Sequence, residues 1–565
     1  MKKYLFLQAI LIILMFHITA QESWIIPTDS YIYKRAEELF LNEWIVPPLE
    51  ERPVIAEDLI INLKTLNTGS SRENSKDKVQ ALIKECSLPF PVFSPILQVG
   101  FWAGFNSETD RDKPVVTNDT TSGTKMLDFR YLYEINEIPS IIKFGFIAHL
   151  SSWSVLFQPE VRTTNTQLLK DYHITNLPSD FIYLDNNFPF RGITTYYSPP
   201  IEARIGRDKL HLGPGTWSTL TLSNYMPYFD YAKLRFFWNW MSISLYLISL
   251  DPTISVEENE YLDEMYNDPD SNPEVNTQYN GKTYIERSKH CALASLFLKP
   301  FPWLLMRITQ INLIGGRDPD LFDFNPFIVF HNSYKEGTYS VPLSLTTTIL
   351  PFKGIKLYLD YLLYDFELGD ETGNSSNPDA AAYQFGFTIL SNPFFKLGPG
   401  RFRLDFELSY TDPWVYGKFY NLRKFTSRII NVEPSVGRFW VDYPLGFYLG
   451  PDTLDIHFCL SYGIPGKLEV ACEWELIGQG NIDLTGWGPE NDYTHAGESG
   501  YPETGAPTNP INWTNQIGLY SYIVLHKNLT LNLECCLEFV QNKNNIVGDN
   551  LIFFTSGFSV VWKIF

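Results

Sequence analysis

The chain has 565 residues, a formal net charge of −20 and 16% aromatic residues. A strongly acidic chain opposes nucleic-acid binding, which requires a basic surface, so we expect no nucleic-acid partner. The six cysteines have neither metal-site spacing nor the density of a disulfide framework, and we expect no metal and no cofactor.

The first twenty residues have the organisation of a secretory signal peptide. Lys2 and Lys3 form a basic start, residues 5–18 are mostly apolar, and Thr19-Ala20 provides small residues for cleavage. A membrane anchor is the alternative, but the apolar run is shorter than the ~20 residues that a spanning helix needs. No later run of the sequence approaches that length. Such an exported chain either stays in aqueous solution or crosses a membrane as a β-barrel, because unpaired backbone groups are costly in lipid.

Residues 21–90 are predicted to form a small α-helical domain. Apolar residues recur at helical spacing over residues 31–40, 59–66 and 72–85. Three short helices make a marginal domain on their own, so we expect them to dock on a larger body. The boundary of the helical region falls at a group of prolines, namely Pro89, Pro91 and Pro95.

Residues 91–565 change to a period of two. Residues 401–410, 467–476 and 530–539 each alternate apolar with polar or charged side chains over about ten residues, which is the length of a tilted transmembrane strand. In the first of these segments we expect Leu404 and Phe406 to face lipid. A soluble β-sandwich also alternates, but its strands are typically shorter, with a mode of roughly five or six residues.

Long polar insertions separate the alternating segments, for example at residues 106–125, 256–283 and 486–512. Insertions of this kind are typical of the extracellular loops of bacterial barrels. We therefore predict a mainly β fold: a transmembrane antiparallel β-barrel of about 16 to 18 strands, with a small N-terminal α-helical domain.

The C-terminal segment, residues 556–565, is extended and apolar. Phe558, Val560, Trp562 and Ile564 lie on one face of a strand, and the sequence ends on Phe565. This ending resembles the C-terminal signal by which outer-membrane barrels are recognised. We therefore expect outer-membrane lipid and the barrel assembly machinery as partners, the latter through Phe565.

No catalytic signature is present in the sequence, and the histidines are scattered singly, so we predict a protein without enzymatic activity. Residues 202–217 differ from a plain strand pair because charged residues lead into the tight turn Gly213-Pro214-Gly215. We expect this segment to fold inward as a constriction or plug, with an ordinary hairpin turn as the alternative. The candidate ligand-binding residues are Arg204, Arg207, Asp208, His211, Trp217 and Arg317.

Several short motifs resemble those of the capsule assembly Wzi family. They are Gly213-Pro214-Gly215, residues 220–224 (Leu-Thr-Leu-Ser-Asn), Gly315-Gly316-Arg317 and Tyr443-Pro444-Leu445-Gly446, together with the helical start at residues 27–31. The resemblance implies an outer-membrane barrel of 18 strands and a helical bundle on the periplasmic side. It also implies that the protein binds surface polysaccharide or anchors a capsule.

Three functions remain open from the sequence. The first is a polysaccharide-binding protein of the outer membrane that uses aromatic platforms such as Trp217, Tyr225 and Trp487. The second is a porin or solute transporter, and the third is an outer-membrane enzyme. The residues that would line the pore of a porin are Arg204, Arg401, Arg403, Asp405 and Glu407.

Overall fold

The computed structural model describes residues 24–564 with interruptions. The residues outside the description are 1–23, 70–72, 88–92, 108–116, 119–124, 127–137, 171–174, 186–189, 256–257, 259–287, 321, 324, 326–337, 366–379, 392–399, 419, 434–436, 483, 485–504 and 565. The predicted signal peptide, Trp487 and Phe565 therefore lie outside the described residues.

Three helices follow the start of the described chain: α1 (Ile32–Asn42), α2 (Ala56–Gly69) and α3 (Glu73–Cys86). They correspond to the three predicted helices and enclose a small apolar core that includes Tyr33 and Leu63. No helix in the described part of the chain is long and apolar enough to cross a membrane. We call residues 24–87 the N-terminal unit.

Eighteen principal strands in the described part of the chain form a closed antiparallel barrel, as predicted. They are β1 Phe93–Asn106, β2 Ile142–Leu150, β3 Trp153–Val161, β4 Phe190–Ser198, β5 Ile201–Asp208, β6 Phe229–Phe237, β7 Met241–Leu250, β8 Lys289–Phe301, β9 Leu304–Gly315, β10 Leu343–Phe352, β11 Ile355–Asp365, β12 Ala380–Leu390, β13 Arg401–Thr411, β14 Thr453–Ile464, β15 Leu468–Gln479, β16 Asn512–His526, β17 Leu529–Gln541 and β18 Asn550–Lys563.

Each strand pairs with the next along the chain, and β18 pairs with β1 to close the cylinder. A three-residue strand, Thr338–Ser340, extends the pairing on β9 ahead of β10. Pro95, which the sequence suggested as part of the domain boundary, lies inside β1 and is paired opposite Phe146. A proline is tolerated there because it lies near the start of the strand.

The two faces of the strands have opposite polarity. On β13, Leu404 and Phe406 are partly exposed on the outer surface, whereas Arg403 and Glu407 are buried inside. Large apolar side chains such as Ile205, which is 66% exposed, cover the outside of other strands. The outer surface therefore has the apolar character that lipid requires, and the predicted alternation is confirmed.

Three parts of the chain enter the barrel. The N-terminal unit lies at the end where the strands join by short turns, since its Val46 amide donates to Pro302 O at 2.7 Å and Gly354 N donates to Leu41 O at 2.9 Å. The inward segment, residues 209–228, follows β5. The rim segment, residues 412–452, follows β13 and contains the hairpin Thr426–Glu433 and Gly437–Pro444.

The inward and rim segments pack against each other inside the barrel. Leu220, Leu222, Tyr416, Phe425 and Phe447 are all completely buried in one continuous apolar core. The inward segment also joins the N-terminal unit, because His211-Leu212 forms an antiparallel pair with Glu51-Arg52. Much of the lumen is thus filled by protein side chains.

Candidate functional site

The inward segment crosses the lumen from β5 to the opposite wall. Gly213 N donates to Glu50 O at 2.9 Å, and Thr216 N donates to the Glu407 carboxylate on β13 at 2.7 Å. The turn needs glycine, because a Cβ at Gly215 would lie 1.7 Å from the carbonyl oxygen of Ser218. The Gly-Pro-Gly turn therefore holds the next residues against β12 to β14, and the expected inward fold of this segment is confirmed.

Two aromatic stacks mark the place where the inward segment reaches that wall. The Trp217 ring stacks on His457, with ring centroids 3.7 Å apart and planes at 14°. The Tyr225 ring stacks on Tyr448 at 4.5 Å, and the Tyr448 hydroxyl donates to Glu475 at 2.6 Å. Trp217 and Tyr225 are both partly exposed, so each presents aromatic surface to the interior.

Strand register aligns a row of polar side chains beside these rings. Glu407, His457, Glu475, Gln516 and Glu538 are direct cross-strand partners on the five neighbouring strands β13 to β17. We call this row the polar belt. Direct partners on one face lie about 5 Å apart between Cβ atoms, so the belt is a continuous band of acidic, amide and imidazole groups.

Two carboxylates of β15 beside His457 are partly accessible. Glu473 is 26% and Glu475 is 13% exposed, and they lie 3.7 Å from Nε2 and Nδ1 of His457 respectively. Glu407, by contrast, is enclosed by Tyr358, Gln384 and the inward segment. We call the inner surface formed by Trp217, Tyr225 and the partly exposed polar side chains of β14 to β17 the lumen crevice.

The N-terminal unit forms the floor of the lumen crevice. Lys34 of α1 makes an ion pair with Glu469 at the start of β15. Tyr31 stacks on Tyr522 of β16 with ring centroids 5.6 Å apart. The crevice therefore runs along β15 from Glu469 near the short turns toward Glu475.

Three of the predicted site residues form internal contacts between parts of the chain inside the barrel. Arg204 donates to Pro53 O of the N-terminal unit at 2.6 Å and pairs with Glu202 at 2.7 Å. Asp208 accepts two hydrogen bonds from Arg191, at 2.6 and 2.9 Å. His211 is buried with Nδ1 3.2 Å from Asn224 Oδ1. Burial and the nearby Arg52 cation lower the pKa of His211 to about 3, so its ring is neutral.

The other three predicted residues lie far apart. Arg207 packs over the ring of Tyr228 and binds Asp230 through hydrogen bonds of 2.7 and 2.6 Å. Arg317, just after β9, donates to Asp323 at 2.9 Å. Trp217 is the one of the six that borders the lumen crevice, and a ligand-binding role for any of them stays a prediction.

The sequence does not predict the group formed by His457, Tyr448, Glu473 and Glu475. The alternation in residues 467–476 does put Glu473 and Glu475 on one face of a strand. No local pattern, however, aligns them with His457 on the neighbouring strand or with Tyr448 on the rim segment. Among the described residues, no group of three or more His, Cys, Asp or Glu side chains is arranged to hold a metal ion.

Neither a protein-family model nor a curated protein sequence matches the chain. Among solved structures, it is similar to Wzi of Escherichia coli, an outer-membrane protein involved in group 1 capsule assembly and a carbohydrate-binding β-barrel. That likeness has a TM-score of 0.55 and 12% identity, and it covers 95% of this chain and 98% of Wzi.

Two porin-like structures match less well. OprD of Pseudomonas aeruginosa has a TM-score of 0.39 and 9% identity over 84% of this chain and 96% of its own. OccAB4 of Acinetobacter baumannii has a TM-score of 0.37 and 10% identity over 83% and 97%. Scores this low carry no argument about function. The likeness to Wzi confirms the family resemblance at the level of fold: this chain is an outer-membrane-type β-barrel with the architecture of Wzi.

Proposed function

We propose that this protein is an outer-membrane barrel that binds surface polysaccharide in the lumen crevice, without catalysis and without forming an open channel. The observation that carries the proposal is the meeting of two partly exposed rings, Trp217 and Tyr225, with the polar belt. Ligand sites combine apolar and aromatic surface with a few fixed polar groups. Sugar rings have C–H faces that pack on aromatic rings, and hydroxyls that donate to carboxylates.

The orientation of the barrel follows from its loops. Bacterial barrels have short turns on the periplasmic side and long loops outside. The N-terminal unit contacts the short turns through Val46 and Leu41, so it faces the periplasm after export and removal of the signal peptide. The crevice then receives its glycan from the cell exterior.

The filled lumen supports binding over conduction. The N-terminal unit, the inward segment and the rim segment each bond to the barrel wall, and their apolar side chains form one core. Planar-bilayer recordings of the purified protein should therefore lack a steady conductance. A stable channel would favour the porin alternative and contradict this part of the proposal.

Binding itself is tested with Trp217→Ala. An aromatic stack contributes ~0.5–1.5 kcal/mol beyond its buried area, so the dissociation constant for a bound glycan should rise about 2- to 12-fold. Trp240→Ala is the matched control, because Trp240 is exposed at the short-turn end. A glycan array probed with the detergent-purified protein identifies the ligand, and calorimetry measures the affinity of both variants for it. Absence of binding to all cell-surface glycans, or equal affinity of the two variants, would contradict the proposal.

A further inference from the structure

The lumen crevice follows the barrel wall over a long stretch of β17. The inward side chains of β13, such as Asp405 and Glu407, are almost completely buried. On β17, by contrast, four successive inward side chains are partly or fully exposed, namely Asn532, Glu534, Cys536 and Glu538. The six residue steps from the first to the last of them span about 20 Å of strand. The accessible inner surface therefore runs from the polar belt down toward the N-terminal unit.

Aromatic rings lie at both ends of this surface. Trp217, stacked on His457, lies beside the polar belt, and we call this pair the upper platform. Tyr522 is the direct cross-strand partner of Asn532, and Tyr31 of the N-terminal unit stacks on it. We call the two tyrosines the lower platform. Trp217, Tyr31 and Tyr522 are all partly exposed, so ring surface is offered at two separate levels of one wall.

A third ring lies between the two platforms. Tyr520 lies over Gly518 on the inner face of β16, since a Cβ at Gly518 would be 2.5 Å from Cε2 of that ring. Gly518 is buried, whereas Tyr520 is partly exposed. A glycine in a strand lets an aromatic ring lie against the sheet in this way. The Tyr520 ring therefore adds apolar surface along the wall between the upper and lower platforms.

Polar side chains accompany these rings along the same wall. Glu534 is the direct partner of Tyr520, and Glu538 is the direct partner of Gln516. Binding sites combine apolar surface with a few fixed polar groups, and here that combination recurs at several levels. Such a row matches the repeated C–H faces and hydroxyls of successive sugar units, whereas a single platform matches one unit.

We infer that the lumen crevice binds an internal stretch of a linear polysaccharide lengthwise, over several sugar units between the upper and lower platforms. The inference rests on the proposed glycan-binding function and adds the form of the ligand. The N-terminal unit is then part of the binding site, because Tyr31 forms half of the lower platform. A glycan that was recognised through its terminal sugar alone would need one platform.

Oligosaccharides of two lengths test the inference with the full-length protein in detergent. They are prepared by partial hydrolysis of the surface polysaccharide of the cells that carry this gene, and are separated into disaccharides and octasaccharides. Each aromatic contact should change the dissociation constant about 2- to 12-fold. Because the octasaccharide reaches Tyr520 and the lower platform as well as Trp217, calorimetry should show that it binds at least about fourfold more tightly than the disaccharide.

The variants Tyr31→Leu and Tyr522→Leu should each weaken binding of the octasaccharide about 2- to 12-fold and narrow its advantage over the disaccharide. Tyr383→Leu is the matched control, because Tyr383 lies on the outer surface of β12 and is 44% exposed. Heat-modifiable migration on a gel confirms that each variant is folded. The variants are decisive because a longer chain can also bind a single platform in several registers.

Equal binding of the octasaccharide by the three variants would overturn this inference and leave the glycan-binding proposal standing. Equal affinity of the wild type for the two oligosaccharides would do the same. If neither oligosaccharide binds, both the inference and the glycan-binding proposal fail.

Discussion

Glu51→Gln should release the N-terminal unit from the barrel. The Glu51 carboxylate, in the segment between α1 and α2, accepts from Lys233 Nζ at 2.9 Å and from Ser244 Oγ at 3.1 Å, and also from the Tyr246 hydroxyl. Lys233 and Tyr246 are buried on barrel strands. The contact therefore ties the N-terminal unit to β6 and β7 in a place with little solvent.

The free-energy cost of Glu51→Gln follows from the balance of charges around Glu51. Three carboxylates meet three bases in it: Glu51, Asp58 and Glu202 against Arg204, Lys233 and Arg235. Neutralising Glu51 leaves one positive charge buried without compensation, and breaking a buried pair in this way costs about 3–5 kcal/mol. If that cost falls on docking, the undocked population rises about 150- to 5,000-fold.

Limited proteolysis of the N-terminal unit in detergent measures this change, since cleavage follows the open population when opening is fast. Heat-modifiable migration on a gel confirms that the barrel of the variant is folded. The control is Glu85→Gln. It removes an ion pair with Arg35 in which the Glu85 side chain is 46% exposed, so the loss of stability should be at most ~1 kcal/mol. If Glu51→Gln is cleaved no faster than Glu85→Gln, the buried cluster does not hold the unit in place.

Three further predictions concern pH, the lipid face and the inward turn. Burial raises the pKa of Glu51, but the Lys233 and Arg235 cations outweigh burial and lower the pKa to about 2. The stabilisation from ionised Glu51 is therefore complete above the usual pKa of 4.5 and is lost as the pH falls toward 2, so the difference in cleavage rate between wild type and Glu51→Gln should shrink across that range. A difference that stays constant over the same range would contradict this reasoning. Leu404→Arg should reduce the folded yield in the outer membrane, because a charge facing lipid at mid-bilayer costs ~2–4 kcal/mol. Glu407→Gln keeps an acceptor for Tyr358 and Thr216 N and should assemble normally. Equal folded yields of the two variants would refute the assignment of the lipid and lumen faces. Gly215→Ala should displace Trp217 and weaken glycan binding measured by calorimetry, because the new methyl group collides with Ser218 O. Gly463→Ala is the control: the atom nearest to its new methyl group is Tyr31 OH, at 4.0 Å, so this variant should bind glycan as the wild type does.

Most of the fold could be predicted from local sequence patterns. The alternation over residues 401–410 identifies the lipid face of β13 because side-chain direction along a strand depends only on position. The spacing of apolar residues in 31–40 predicts α1 for the same reason. The strand count was predictable only to within two, since long polar insertions such as 256–283 do not show how many strands they connect.

The site was harder to predict because it depends on contacts between distant residues. Trp217 meets His457 across 240 positions of the sequence, through a loop that crosses the lumen and a register that no local pattern specifies. Arg204 lies on the polar face of β5 as expected, but its partner Pro53 comes from the N-terminal unit. A polar residue facing a lumen looks the same in the sequence whether it meets a ligand or another part of the chain.

The ion pairs that hold the N-terminal unit in the barrel do not all have the same polarity. Where the N-terminal unit sits, its acids meet bases of the wall: Glu37 pairs with Lys356 at 2.6 Å, and Glu51 pairs with Lys233. Along β15 the polarity is reversed, because the wall is acidic and the N-terminal unit contributes Lys34 at its lower end. The N-terminal unit therefore supplies the complementary charge at each of these contacts. Complementary charges of this kind fix the orientation of a docked partner, so the docked orientation of the N-terminal unit depends on these pairs.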